Sequence, residues 1–226
     1  MQDWNRIRSD LDARGHARLP GLLDGASTAA LRPLFTQDGL FRSHVIMQRH
    51  GYGQGSYRYF SYPLPEIVSD LRTWLWPELA PLATRWMERM GKPERFPADH
   101  ADYLAECHRA GQVRPTPLLL DYGPGDYNRL HQDLYGEMHF PIQLVVMLSP
   151  PEAYEGGAFV LTEARPRMQS RAEAIQLQEG EGLLFAVNQR PVEGKRGWFR
   201  VTMRHGVSTV TAGHRQTLGV IFHDAR

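Results

Sequence analysis

Beyond Arg114 the chain reads as about eight short strand-like runs packed into roughly 110 residues. They fall near 116–122, 127–133, 141–148, 157–163, 173–178, 182–188, 199–206 and 215–223. The breaks between them include Gly123-Pro124-Gly125, Gly156-Gly157 and Gly180-Glu181-Gly182. Glycine relaxes the backbone and proline removes a ladder donor, so such clusters end strands. Many short strands at this spacing leave open edges unless two sheets close on each other. The pattern therefore calls for a closed double-sheet barrel such as a jelly roll. The plainer alternative is a β-sandwich without a site.

The first half has a helical period instead. Trp4, Ile7 and Leu11 recur at helical spacing and Gly15 ends the run. Asp24 is placed to cap a helix through Leu31, Leu34 and Phe35. From Pro65 to Met90 the residues Ile67, Leu71, Leu75, Leu79, Leu82 and Trp86 keep a three-to-four spacing, which Pro77 and Pro81 are expected to break or kink. A further helix is expected from Ala98 to Ala110, with Gly111 just past its end. Between these helices, residues 40–62 hold Gly51, Gly53 and Gly55, then Tyr57, Arg58, Tyr59 and Phe60. Here a loop or hairpin is expected, serving as a lid over the barrel. The resulting division is 1–113 for a helical region carrying the lid and 114–226 for the barrel, within one compact domain.

With 226 residues, 42% hydrophobic and 23% charged, the chain has the makeup of an ordinary globular protein. A net charge of +1 gives no global attraction to nucleic acid or to an anionic membrane. Cys107 is the single cysteine, so no intramolecular disulfide forms. Neither a signal pattern nor an apolar run of about 18 residues is present. The expected address is cytoplasmic, with no membrane partner.

The chemistry-bearing residues lie in the strand-rich half. His131 and Asp133 are two apart, so on one strand they share a face. In a chain with ten histidines a single His-x-Asp is weak evidence. His205 offers a third ligand from another strand, and two imidazoles with one carboxylate leave an open side suited to Fe(II) and oxygen. Ten positions beyond His205, Arg215 and Thr217 again share a face. A guanidinium facing into a barrel with no acidic sequence neighbour calls for an external carboxylate, which its planar fork matches. The bland readings are structural histidines and a surface salt bridge. Agreement of ligand type, spacing and strand phase favours the site.

This constellation resembles that of the Fe(II)/2-oxoglutarate-dependent dioxygenase superfamily. Within it the chain resembles a bacterial 2-oxoglutarate–Fe(II) oxygenase family grouped with nucleic-acid demethylases of the AlkB type. The resemblance runs through most of the chain, including Tyr57-Arg58-Tyr59-Phe60, Tyr62-Pro63-Leu64-Pro65, the stretch 111–120, Asp126-Tyr127-Asn128, the stretch 165–171 and Ile221-Phe222-His223-Asp224-Ala225. One departure is Ala158, where an acidic residue is expected; it touches the substrate side rather than the ligands.

The resemblance implies an α+β fold, with a double-stranded β-helix (a jelly-roll, cupin-like barrel) behind an N-terminal helical region. It implies Fe(II), O2 and 2-oxoglutarate as co-substrate, with succinate and CO2 formed as a substrate C–H bond is hydroxylated. Oxidative demethylation of an alkylated nucleic-acid base is the leading expectation. His131, Asp133 and His205 would hold the iron, and Arg215, Thr217 and Tyr122 the 2-oxoglutarate. Arg49, Tyr57, Arg58, Tyr59, Asn128 and Arg204 would face the substrate, with Arg200 near the same mouth and Gln143 a possible donor near the metal. Two alternatives stay open: a hydroxylase of a free amino acid or protein side chain, in the manner of prolyl hydroxylases, and a non-catalytic metal-binding barrel.

Overall fold

A computed structural model describes residues 2–226. Helix α1 (Trp4–Arg14) is capped by the Asp3 carboxylate and ends at Gly15, whose left-handed φ of 76° lets its N–H reach Leu11 O. Strand β1 (His16–Leu19) follows, then α2 (Gly25–Leu31), capped by Asp24 through the Ser27 N–H. Next come β2 (Phe41–Ile46), the short β3 (Gly53–Gln54) and β4 (Ser56–Phe60). Helices α3 (Glu66–Arg89) and α4 (His100–Arg109) complete the N-terminal half.

The remaining strands are β5 (Leu118–Tyr122), β6 (Tyr127–His131), β7 (Ile142–Met147), β8 (Tyr154–Gly156), β9 (Phe159–Ala164) and β10 (Arg171–Ile175). They continue with β11 (Gly182–Ala186), β12 (Gln189–Gly194), β13 (Gly197–Val207), β14 (Val210–Gly213) and β15 (Arg215–Val220).

Two antiparallel sheets face each other. The larger runs β1-β11-β7-β15-β5-β4-β2; the smaller runs β10-β9-β13-β6-β3, with β12 also on β13. The inner faces enclose a cavity and helix α3 packs against β15 on the outside. Side-chain alternation explains the split. On β15, Arg215, Thr217 and Gly219 line the cavity, while Leu218 and Val220 are fully buried in the main core with Trp76 and Trp86. The fold is a double-stranded β-helix with a helical layer on the larger sheet.

One local expectation changes and another is narrowed. Helix α3 runs unbroken through Pro77 and Pro81. The two prolines are four residues apart and exposed, as is Thr73, so carbonyls that lose a helical partner are hydrated instead. The 40–62 segment takes the hairpin form of the two expected, and it is built into the larger sheet. Strand β4 pairs with β5 from Ser56↔Asp121 to Tyr59↔Leu118, and β2 covers its other edge. Residues 47–55 between them hold a 3-10 turn and β3, which pairs with β6. No helix among the described residues is long and apolar enough to cross a membrane.

Candidate metal centre and adjoining cavity

His131 on β6 and His205 on β13 are direct partners across the smaller sheet, with ring centroids 4.2 Å apart. Gly206 makes this approach possible, because a Cβ there would stand 2.6 Å from Asn128 O. Asp133 arrives differently from the strand-phase expectation. Strand β6 ends at His131, so Asp133 lies in the irregular stretch beyond it. Gln132 replaces the lost ladder by donating to Asn188 O at 3.1 Å and Met203 O at 2.7 Å. That anchor turns Asp133 inward, 3.4 Å from His131 Nε2 and 3.3 Å from His205 Nε2.

One ligand atom from each of the three residues lies within 4.8 Å of the others. His131 Nδ1 meets Arg129 O at 2.7 Å, which fixes the proton there and leaves the Nε2 lone pair free. His205 stacks with Phe159 at 5.8 Å and tilts against Phe185 at 4.7 Å, a dry setting. Burial raises the Asp133 carboxyl, but hydrogen bonds and charge from His131 and His205 outweigh it and hold the group well below the usual range. Burial, with the neighbouring His131, lowers His205. Burial lowers His131, but Asp133 outweighs it and raises the group, so a metal would displace a proton there. Two deprotonated imidazole nitrogens and a carboxylate oxygen, open to a cavity on one side, can then hold one divalent metal facially.

The cavity has a volume of about 560 Å³. Arg215 and Thr217 line it from the larger sheet, both essentially buried. Among the described residues no carboxylate lies within salt-bridge distance of Arg215, and its Nε and Nη1 have no hydrogen-bond partner. The guanidinium lies 5.9 Å from the ring of Tyr122, its register partner on β5. Gly157, with φ of 59°, folds over Arg215; a Cβ there would meet Arg215 Cδ at 2.7 Å. The Tyr122 hydroxyl and Gln143 Nε2 are likewise buried without partners. Burial lowers Arg215 and raises Tyr122, yet both keep the protons needed to donate.

Of the expected substrate-side residues, Tyr57, Tyr59 and Asn128 line the cavity. Arg58 does not: alternation on β4 turns it outward, where it pairs with Asp38 and lies over Phe35 and Phe41. Arg204 is exposed on the face of β13 opposite His205, and Arg49 is exposed in the 3-10 turn. Neither lines the cavity. Arg200 is bound to Met90 O. Tyr135 went unnoticed in the sequence and lines the cavity beside Asp133, whose Oδ1 accepts its hydroxyl at 2.7 Å. Tyr52, Leu130 and Leu134 are exposed apolar groups at the mouth.

Residues 55–225 match the model of the Oxygenase-NA family, described as an oxygenase catalysing oxidative methylation of damaged DNA. The chain belongs to this family. An uncharacterized protein of Mycobacterium tuberculosis (strain H37Rv) is 48% identical over 167 residues, covering 74% of this chain and 72% of that protein. Among solved structures, an oxidoreductase of the 2OG-Fe(II) oxygenase family from Burkholderia pseudomallei has TM-score 0.59 at 16% identity, covering 99% of this chain and 93% of that one. A Pseudomonas putida prolyl-4-hydroxylase has TM-score 0.55 at 13% identity, covering 99% and 100%. The epimerase SnoN of nogalamycin biosynthesis has TM-score 0.59 at 15% identity, covering 96% and 81%. These likenesses give the shared double-stranded β-helix fold; the family match makes the protein an oxygenase.

Proposed function

We propose that this oxygenase binds Fe(II) through His131, Asp133 and His205, takes 2-oxoglutarate as co-substrate, and oxidises an alkyl carbon on a nucleic-acid base. The observation that carries the reading is Arg215: a fully buried cation without an acidic partner, sharing a cavity with the ligand cluster. An isolated buried charge is costly, and a carboxylate brought by a ligand removes that cost. When bound, iron and 2-oxoglutarate supply the oxidising power, with O2 consumed, succinate and CO2 released and one oxygen atom delivered to a C–H bond.

The chain's own groups divide the remaining work. Arg215 takes the distal carboxylate in a two-point contact and Thr217 adds its hydroxyl. Tyr122 Oη and Gln143 Nε2 are donors left for the same anion. Phe159 and Phe185 keep water from His205. Tyr57 and Tyr59 give the cavity a flat aromatic wall, and Tyr52, Leu130 and Leu134 an apolar rim, surfaces suited to stacking on an unpaired base. The family's description favours damaged DNA over an amino-acid side chain as the substrate.

Anaerobic Fe(II) titration followed by 2-oxoglutarate should give one metal per chain and one co-substrate per metal. Succinate formation should rise with methylated single-stranded oligonucleotide and not with proline-containing peptide. The reverse preference would move the substrate to the peptide class. In His131→Ala, iron binding and succinate formation should both be lost; full iron occupancy in that variant rules out the ligand assignment.

A further inference from the structure

Asp133 is supported by a chain of two phenols. Tyr135 Oη donates to Asp133 Oδ1 at 2.7 Å, and Tyr59 Oη donates to Tyr135 Oη at 2.9 Å. Oδ1 also lies 3.4 Å from His131 Nε2, whereas Oδ2 faces His205 Nε2 at 3.3 Å and accepts from neither phenol. Tyr59 is itself held fast. Its ring is edge-on to Tyr57 at 5.4 Å and to Tyr135 at 6.0 Å, and the Arg42 guanidinium lies 4.5 Å above it. Both hydrogen bonds run one way, from Tyr59 to Tyr135 and from Tyr135 to the carboxylate.

We propose that Tyr135, backed by Tyr59, is a positioning residue that occupies Asp133 Oδ1 and presents the carboxylate to the metal through Oδ2 alone. The proposal rests on the metal-site reading above. A carboxylate that grips a metal with both oxygens takes two coordination positions. Tied down at one oxygen, it takes one, and three positions stay open for a chelating keto acid and O2. The chain also joins the two sheets, because Tyr59 stands on β4 of the larger sheet while Asp133 follows β6 of the smaller one. The carboxylate is thus oriented by the wall that faces the cavity.

Co(II) is the probe, because its visible absorption responds to the set of ligands around it. The full-length protein, Tyr135→Phe and Tyr59→Phe are each titrated with Co(II) without 2-oxoglutarate, and the melting temperature of each metal-free protein is measured. Phenylalanine keeps the ring and removes only the hydroxyl. In Tyr135→Phe, Co(II) affinity should fall ~10–100-fold, the range for loss of a hydrogen bond to a ligand, with a changed visible spectrum as the freed oxygen competes with water for the metal. Tyr59→Phe should shift both in the same direction by less, and it carries the test if Tyr135→Phe does not fold. Metal-free melting temperatures should match wild type.

Wild-type affinity and spectrum in both variants overturn the proposal while leaving the metal centre standing. A lowered melting temperature with an unchanged spectrum overturns it in favour of packing. A wild-type protein that takes up no Co(II) overturns the metal centre itself, and this proposal with it.

Discussion

Arg72 and Arg215 are both among the largest fully buried side chains of the protein, and they keep opposite company. Arg72, on α3, meets Asp224 Oδ1 at 3.1 Å, and its Nη1 lies 3.3 Å from the Tyr62 hydroxyl. Asp224 also accepts from Tyr62 Oη and lies 2.8 Å from His108 Nε2. The cluster is a clasp that ties the C-terminal segment to the helical layer, with only the Arg72 Nε left without a partner on that guanidinium. Arg215, on β15, has no carboxylate and two unpartnered nitrogens. Desolvation is costly in both places. In the clasp the protein supplies the counter-charge, and in the cavity, on the function proposed above, a ligand would supply it. The partner list, rather than burial, therefore separates a structural arginine from a binding one.

Breaking the clasp should have the largest effect. Asp224→Asn leaves Arg72 buried without its counter-charge, a change that typically costs about 3–5 kcal/mol. For a chain of this length that corresponds to a melting temperature lower by roughly 10 °C. The 2-oxoglutarate KM measured in the cold should not move. A variant with normal stability and a raised KM would reverse the assignment of the two arginines.

Two buried histidines beside the clasp add an acid-labile contribution of their own. Burial lowers His100 to about 4 and His223 to about 3, while His100 Nε2 donates to Phe222 O and His223 Nδ1 accepts from Phe140 N. Both are neutral in the fold. Below the ordinary histidine value near 6.5 the unfolded chain takes up protons that the folded one does not. The stabilisation is therefore complete above about pH 6.5 and is lost as pH falls towards 4 and then 3. Each group contributes roughly 1.4 kcal/mol per pH unit within its window, so moving metal-free protein from pH 7.5 to 5.5 should cost roughly 3 kcal/mol from these two histidines in urea unfolding. His100→Gln should flatten that slope; an unchanged slope would place the acid sensitivity elsewhere.

At Arg215 the expected effect is smaller and of another kind. Lysine keeps the charge but loses the planar fork, so Arg215→Lys should raise the 2-oxoglutarate KM ~10-fold or more, with iron binding and melting temperature unchanged. Loss of stability on the scale of Asp224→Asn would show that Arg215 is structural after all.

The two regions were also unequally legible. Arg215-x-Thr217 and the strand containing His205 could be read because alternation along a strand is a local rule. The same rule placed His131 and Asp133 together for a partly wrong reason, since the strand stops between them and the Gln132 side chain does the turning. Strands β1, β8, β12 and β14 were missed; β1, β8 and β14 have four residues or fewer, and β12 carries Pro191. The clasp was invisible because Arg72 and Asp224 are 152 residues apart and no periodicity links them. Tyr135 carried no signal for the same reason: its value lies in reaching Asp133 and Tyr59, which only the folded chain brings together.

The smallest expected effect tests the boundary between inner and outer faces on a single strand. Tyr57 and Arg58 are neighbours on β4 and point to opposite sides. Arg58 pairs with Asp38, whose side chain is 88% exposed, and lies 5.1 Å from the Phe35 ring centroid and 5.6 Å from that of Phe41. An ion pair that wet contributes little, and the aromatic contacts add modestly, so Arg58→Ala should cost about 1 kcal/mol or less. It should also leave oligonucleotide oxidation and its coupling to succinate formation untouched. Tyr57→Ala should instead lose substrate oxidation while succinate continues to form, because the proposed co-substrate contacts lie on β15, β5 and β7. The ladders on both edges of β4 make this segment a wall rather than a hinge, so its amides should exchange slowly compared with those of residues 48–54. Loss of coupling in Arg58→Ala, or fast exchange along β4, would restore the lid in place of the wall.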